Sequence, residues 1–118
     1  DCRITGLNIK VNIDGISPDG CKNVIISDCN VVAGDDAIVP KSSYTLNKKI
    51  DCENIVITNC VVSSRMCAIK LGTETNGGFY DIEINNIDVY ETRITGIAIE
   101  SVDGAIIDGL SLKNIRIG

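Results

Sequence analysis

The chain is 118 residues long, 44% hydrophobic and carries a net charge of −5. That length fits one domain, the scattered basic residues leave no footprint for nucleic acid, and no apolar run approaches the ~20 residues of a membrane helix. Histidine is absent, which excludes Ser-His-Asp and Cys-His catalysis and removes the commonest zinc ligand. Chemistry must then come from carboxylates, lysine, arginine, tyrosine or cysteine. With one Phe, three Tyr and no Trp, the core must draw on Ile and Val, side chains that suit stacked strands.

Taken in chain order, the segments repeat. "CRITGLNI" from Cys2 reads as the tail of one copy. "CKNVIISDCNVV" from Cys21, "CENIVITNCVVS" from Cys52 and "FYDIEINNIDVY" from Phe79 are three fuller copies, and "GAIIDGLSLKNIRI" from Gly104 is a weaker one. The register residues Leu7, Cys29, Cys60, Ile87 and Ile115 step by 22, 31, 27 and 28 residues. Variable steps with fixed motifs mean insertions between strands, such as "KSSYTLNKKID". Within each copy apolar residues alternate (Val24 and Ile26, Ile55 and Ile57, Ile82 and Ile84) and resume after a polar residue. Period two broken by one corner predicts short strands, not helices. The corner is Asp28, Asn59, Asn86 and Asn114 in turn, and these types tolerate the left-handed backbone of a sharp bend and can hydrogen-bond along a stack.

Each copy can bury one face only by stacking on its neighbour, the logic of a solenoid. The expected fold is all-β, a right-handed parallel β-helix of roughly four to five coils. Residues 1–118 form a single segment of it, expected to be the central to C-terminal coils of a longer catalytic domain. A leucine-rich repeat fits less well, because its Leu-rich consensus is missing.

Five of the six cysteines follow the same register (Cys21 with Cys52, Cys29 with Cys60, and Cys2 at the position of Val24), and Cys67 stands outside the scheme. Neighbouring coils about 4.8 Å apart would bring stacked thiols within disulfide reach. The favoured reading is a column of small buried thiols. No Cys-x-x-Cys supports zinc, and no metal or cofactor is expected.

The register also places the acidic residues. Asp14 to Asp36 is 22 residues, the same step as Leu7 to Cys29. Asp14 should therefore sit one coil below Asp36, on one edge, with Asp35 beside them. Three carboxylates so crowded resist ionising together. A protonated carboxyl beside an ionised one is the arrangement glycoside hydrolysis uses. Ordinary corner chemistry is the alternative, and "GDD" alone is a weak motif.

"NIDGISPDGCKNVIISDCNVVAGDDAIVPKS", Asn12 to Ser42, resembles the catalytic core of the polygalacturonase family, glycoside hydrolase family 28, whose members are pectin lyase-like β-helices. The family's Asn-x-Asp, Gly/Gln-Asp-Asp and Lys-Ser correspond to Asn12-Ile13-Asp14, Gly34-Asp35-Asp36 and Lys41-Ser42. The likeness continues through "CENIVITNC" and "GTETNGG". It implies that Asp35 protonates the departing glycosidic oxygen, that Asp14 and Asp36 activate the attacking water with inversion, and that Asn12 and Lys41 position and balance them. The family's Gly-His-Gly falls at Met66-Cys67-Ala68, and its Arg-Ile-Lys at Ala98-Ile99-Glu100. Glu100 would repel an acidic sugar, whereas Lys70, expected to point outward next to Ala98, restores a positive charge; Arg65 is a further candidate. The expected substrate is therefore a neutral or differently decorated pectic polysaccharide or oligosaccharide, or another plant cell-wall polysaccharide, met in a secreted or periplasmic setting. A β-helix that binds carbohydrate without cleaving it, and a polysaccharide lyase, are the rival functions.

Overall fold

Alternating apolar residues become strands throughout the computed structural model, which describes residues 2–18, 21–40, 44–45, 48–49, 52–71, 78–92, 95–99 and 107–117. The strands are β1 (Cys2–Thr5), β2 (Asn8–Val11), β3 (Lys22–Ser27), β4 (Asn30–Ala33), β5 (Tyr44–Thr45), β6 (Lys48–Lys49), β7 (Cys52–Ser64), β8 (Cys67–Leu71), β9 (Phe79–Thr92), β10 (Thr95–Ile99) and β11 (Ile107–Ile117). Among the described residues there is no helix, and so none long and apolar enough to cross a membrane.

Every ladder is parallel except the small β5–β6 hairpin, which falls in the insertion expected at "KSSYTLNKKID". One ladder stacks β1, β3 and the first halves of β7, β9 and β11; a second stacks β2, β4 and the second halves of β7, β9 and β11. The pairs Cys2↔Val24, Val24↔Ile55, Ile55↔Ile82 and Leu110↔Ile82 reproduce the steps of 22, 31, 27 and 28 read from the repeat. A third face is built from β8 paired with β10 and from single bridges joining Ile16, Ile38 and Ile69. The chain is thus an all-β, curled stack of parallel strands, as a solenoid requires.

The expected corners are where the strands bend. Asp28, Asn59, Asn86 and Asn114 all have φ between 53° and 57°, the left-handed region that short polar side chains tolerate. Asn86 donates from its amide to Asn59 Oδ1 across one coil step at 2.5 Å. A second left-handed column stands at the head of the first ladder: Asn23, Asn54, Asp81 and Gly109, with φ of 58°, 54°, 55° and 73°. Asn54 hands a hydrogen bond to Asn23 there, at 2.8 Å. The coils of β3, β7 and β9 are therefore each bent twice by short polar residues, and the strand between the bends points its apolar residues inward.

Those residues stack in columns. Ile4, Ile26, Ile57, Ile84 and Leu112 are successive ladder partners, and the middle three are fully buried. Cys52 pairs with Phe79, so the lone phenylalanine occupies a thiol column. Cys29, Cys52, Cys60 and Cys67 are buried and Cys2 is exposed, and the four buried side chains fit the space-filling reading.

Burial pushes the Cys60 thiol up to about 11, from an ordinary 9.0. The fold therefore favours the protonated thiol, and that share of stability is complete below pH 9. It is lost as pH rises from about 9 towards 11, because the unfolded chain releases its proton first. We expect melting temperature to fall more steeply across this window in the parent than in Cys60→Ala; parallel curves would contradict the assignment.

Candidate active site

The carboxylates meet where β2 and β4 leave their ladder. Val11 and Ala33 are partners at the strand ends, and the chain then turns through Asn12–Gly15 in one coil and Gly34–Asp36 in the next. Main-chain hydrogen bonds lock the two turns in step: Gly34 N–H to Val11 O at 2.8 Å, Gly15 N–H to Asp36 O at 3.1 Å, and Ile16 N–H to Ala37 O at 2.8 Å. The coils approach so closely that a methyl group on Gly34 would lie 2.6 Å from Asn12 O, and one on Gly15 would lie 2.5 Å from Ala37 O. Real Cβ atoms do not come that near backbone. The two glycines are what allow the acidic turns to stack.

Asp14, Asp35 and Asp36 each place a carboxylate oxygen within 4.8 Å of the other two. The sequence register therefore brought together the three residues it named. Asp14 is half-buried, Asp35 exposed and Asp36 buried. Asp35 Oδ1 accepts the Asp36 N–H at 2.9 Å, which turns its carboxylate over its own turn while leaving it open to solvent. Ser64, buried beneath, donates its hydroxyl to Asp35 O and accepts the Met66 N–H, so the third coil props the second.

Asp36 is held on both oxygens. The Cys67 N–H donates to Oδ1 at 3.1 Å, and the Lys70 ammonium stands 3.6 Å from Oδ2, with both side chains mostly buried. Cys67 had no place in the repeat scheme, yet its main chain is a direct support of the cluster. No residue-type pattern reveals a backbone donor; only the pairing of Ala37 N–H to Cys67 O places it. Lys70 does pair with Ala98 as expected, but its side chain folds back onto Asp36, so its charge sits inside the cluster.

Asn12 is exposed, beside the cluster. Lys41 and Glu100, the remaining candidates for substrate contact, lie outside the described residues. Next to the cluster a groove of about 360 Å³ runs across the coils, lined by Lys10, Asn12, Gly34, Ser63, Arg65 and Glu91 among others. Its size falls in the ~300–1,000 Å³ range of ligand sites.

The spacing bears on mechanism. Carboxyl groups of inverting glycosidases usually stand ~6.5–9.5 Å apart, and those of retaining ones ~5–5.5 Å. The cluster brings its nearest oxygens within 4.8 Å of one another, closer than that inverting range. It can nonetheless hold a water: two hydrogen bonds of about 2.8 Å meeting at a tetrahedral angle span about 4.6 Å.

This chain is 30% identical over 116 residues to a "Probable polygalacturonase" from Vitis vinifera, an alignment covering 89% of the chain and 23% of that relative. The chain thus spans about a quarter of the relative's length. No family model matches the chain, and no solved structure matches it. The likeness supports a polygalacturonase-like relationship and nothing finer.

Proposed function

We propose that the chain is a segment of a right-handed parallel β-helix in a secreted or periplasmic glycoside hydrolase that cuts a pectin-related glycan with inversion. The observation that carries this reading is the convergence of Asp14, Asp35 and Asp36 from two coils onto one open edge. Asp35, the exposed member, is placed to protonate the leaving glycosidic oxygen. Asp36, fixed by the Cys67 amide and charge-balanced by Lys70, serves with Asp14 to hold and deprotonate a water. General acid–base chemistry of this kind contributes ~10²–10⁴-fold to rate.

Asn12 and Lys41 position substrate and carboxylates in this proposal, and Glu100 disfavours an acidic sugar near Ala98. Lys70 adds positive charge to the cluster, but through Asp36 and not from a separate pocket.

Product stereochemistry decides between water attack and a covalent intermediate. The water-sized gap and the family resemblance argue for inversion. Proton NMR of fresh product from the intact protein should show the anomer opposite to the substrate's, with no product absorbing in the ultraviolet. Net retention would make Asp14 or Asp36 a nucleophile, and an unsaturated product would replace hydrolysis with a lyase.

A further inference from the structure

Left-handed backbone is assigned by rule in this fold, and one residue breaks the rule. Among the described residues, eight non-glycine positions have positive φ; seven are Asn or Asp, and the eighth is Glu91, with φ of 52°. The short side chains of Asn and Asp can bond locally to offset such a conformation, whereas the longer Glu lacks that compensation. Glu91 sits at a bulge. Val62 pairs with Val89 and Ser64 with Thr92, so Tyr90 and Glu91 together face Ser63 alone. The Ser63 hydroxyl donates to Glu91 O at 3.3 Å and pins the extra residue in place. Bulges re-aim side chains and gather beside active sites, and residues kept in costly backbone regions cluster where function needs them.

Glu91 lines the groove beside the carboxylates, together with Lys10, Asn12 and Arg65. Lys10, Val32 and Ser63 are successive ladder partners, so the groove runs from Lys10 in one coil to Glu91 three coils on, a span of roughly 14 Å at ~4.8 Å per coil. Among the described residues, neither Lys10, Arg65 nor Glu91 forms an ion pair. Donors and an acceptor are thus displayed along a trough and left for a ligand.

We propose that this groove is a sugar-binding subsite flanking the carboxylate cluster, with Glu91 as its specificity-determining acceptor for ring hydroxyls and Arg65 and Lys10 as donors. The inference rests on the carbohydrate reading above. It adds that recognition is set by a residue outside the acidic turns.

The test uses the intact protein carrying Asp35→Asn, so that bound glycan is not consumed, with a homogalacturonan hexamer and its carboxyl-reduced neutral counterpart as probes in calorimetry. Glu91→Gly should weaken binding of at least one probe tenfold or more, while melting no lower than the background, since glycine takes this φ without strain. Glu91→Gln should fall between. Arg65→Ala should weaken the charged probe more than the neutral one. If Glu91→Gly binds both probes as the background does, Glu91 is only a turn residue and the proposal falls. If the background itself binds neither probe, the subsite and the carbohydrate reading fall together. Binding by the background without hydrolysis by the parent removes the glycosidase alone and leaves the subsite standing.

Discussion

Asp35→Asn is expected to lower kcat on a cleavable pectic substrate by about 10²–10⁴-fold, the usual contribution of a general acid, with the melting temperature close to the parent's. The fold has little stake in the acid itself. Asp35 is exposed, and its side chain accepts the Asp36 N–H at 2.9 Å, a bond that an asparagine oxygen can also accept. Its backbone carbonyl, anchored by Ser64, is untouched by the substitution. A variant that hydrolyses normally would remove Asp35 as proton donor. One that unfolds would show that the local bond matters more than the geometry indicates.

Ile57→Ala is expected to cost about 2–5 kcal/mol of stability, the range for truncating a buried Ile, read as a lower denaturant midpoint with an unchanged slope. Ile57 is fully buried between Ile26 and Ile84, so its loss opens a void that neither neighbour can fill without breaking its own ladder. Ile57→Val should cost only ~0.5–1.5 kcal/mol. Val56, the next residue, points to the other face and is half-buried; its truncation should cost less than Ile57→Ala. Because a one-residue slip exchanges the two faces of a strand, the reverse order of effects would place the register wrongly by one.

Much of this architecture is legible in the sequence because stacked parallel coils repeat residue types in fixed columns. The steps of 22, 31, 27 and 28 emerge from apolar alternation, and the ladders follow them. The mid-strand corners are legible because Asp28, Asn59, Asn86 and Asn114 are the residue types a left-handed bend accepts. The same signal stands at Asn23, Asn54 and Asp81; it escapes notice because the apolar residues that follow dominate the pattern. The third face is harder to read, since β8 and β10 are five residues each and lack a polar corner between halves.

At the site, Asp14, Asp35 and Asp36 come together because the register alone fixes which turn lies over which. Three features do not follow from register. The outward position of Lys70 is set by alternation, but a flexible four-carbon stem can turn back to a buried carboxylate, and it does. The support from Cys67 is a main-chain amide, which any residue there would supply. The bulge at Glu91 is one extra residue in one strand, invisible until the pairing of β7 with β9 is known. In each case the missing information is three-dimensional proximity rather than residue chemistry.

The most direct measurement is a crystal structure of the intact Asp35→Asn protein with an uncleaved pectic oligosaccharide. The three-carboxylate mechanism requires a glycosidic oxygen within hydrogen-bonding distance of residue 35 and a water shared by Asp14 and Asp36 beneath the adjoining anomeric carbon. A sugar bound on another face, with the three side chains contacting only solvent, would contradict it.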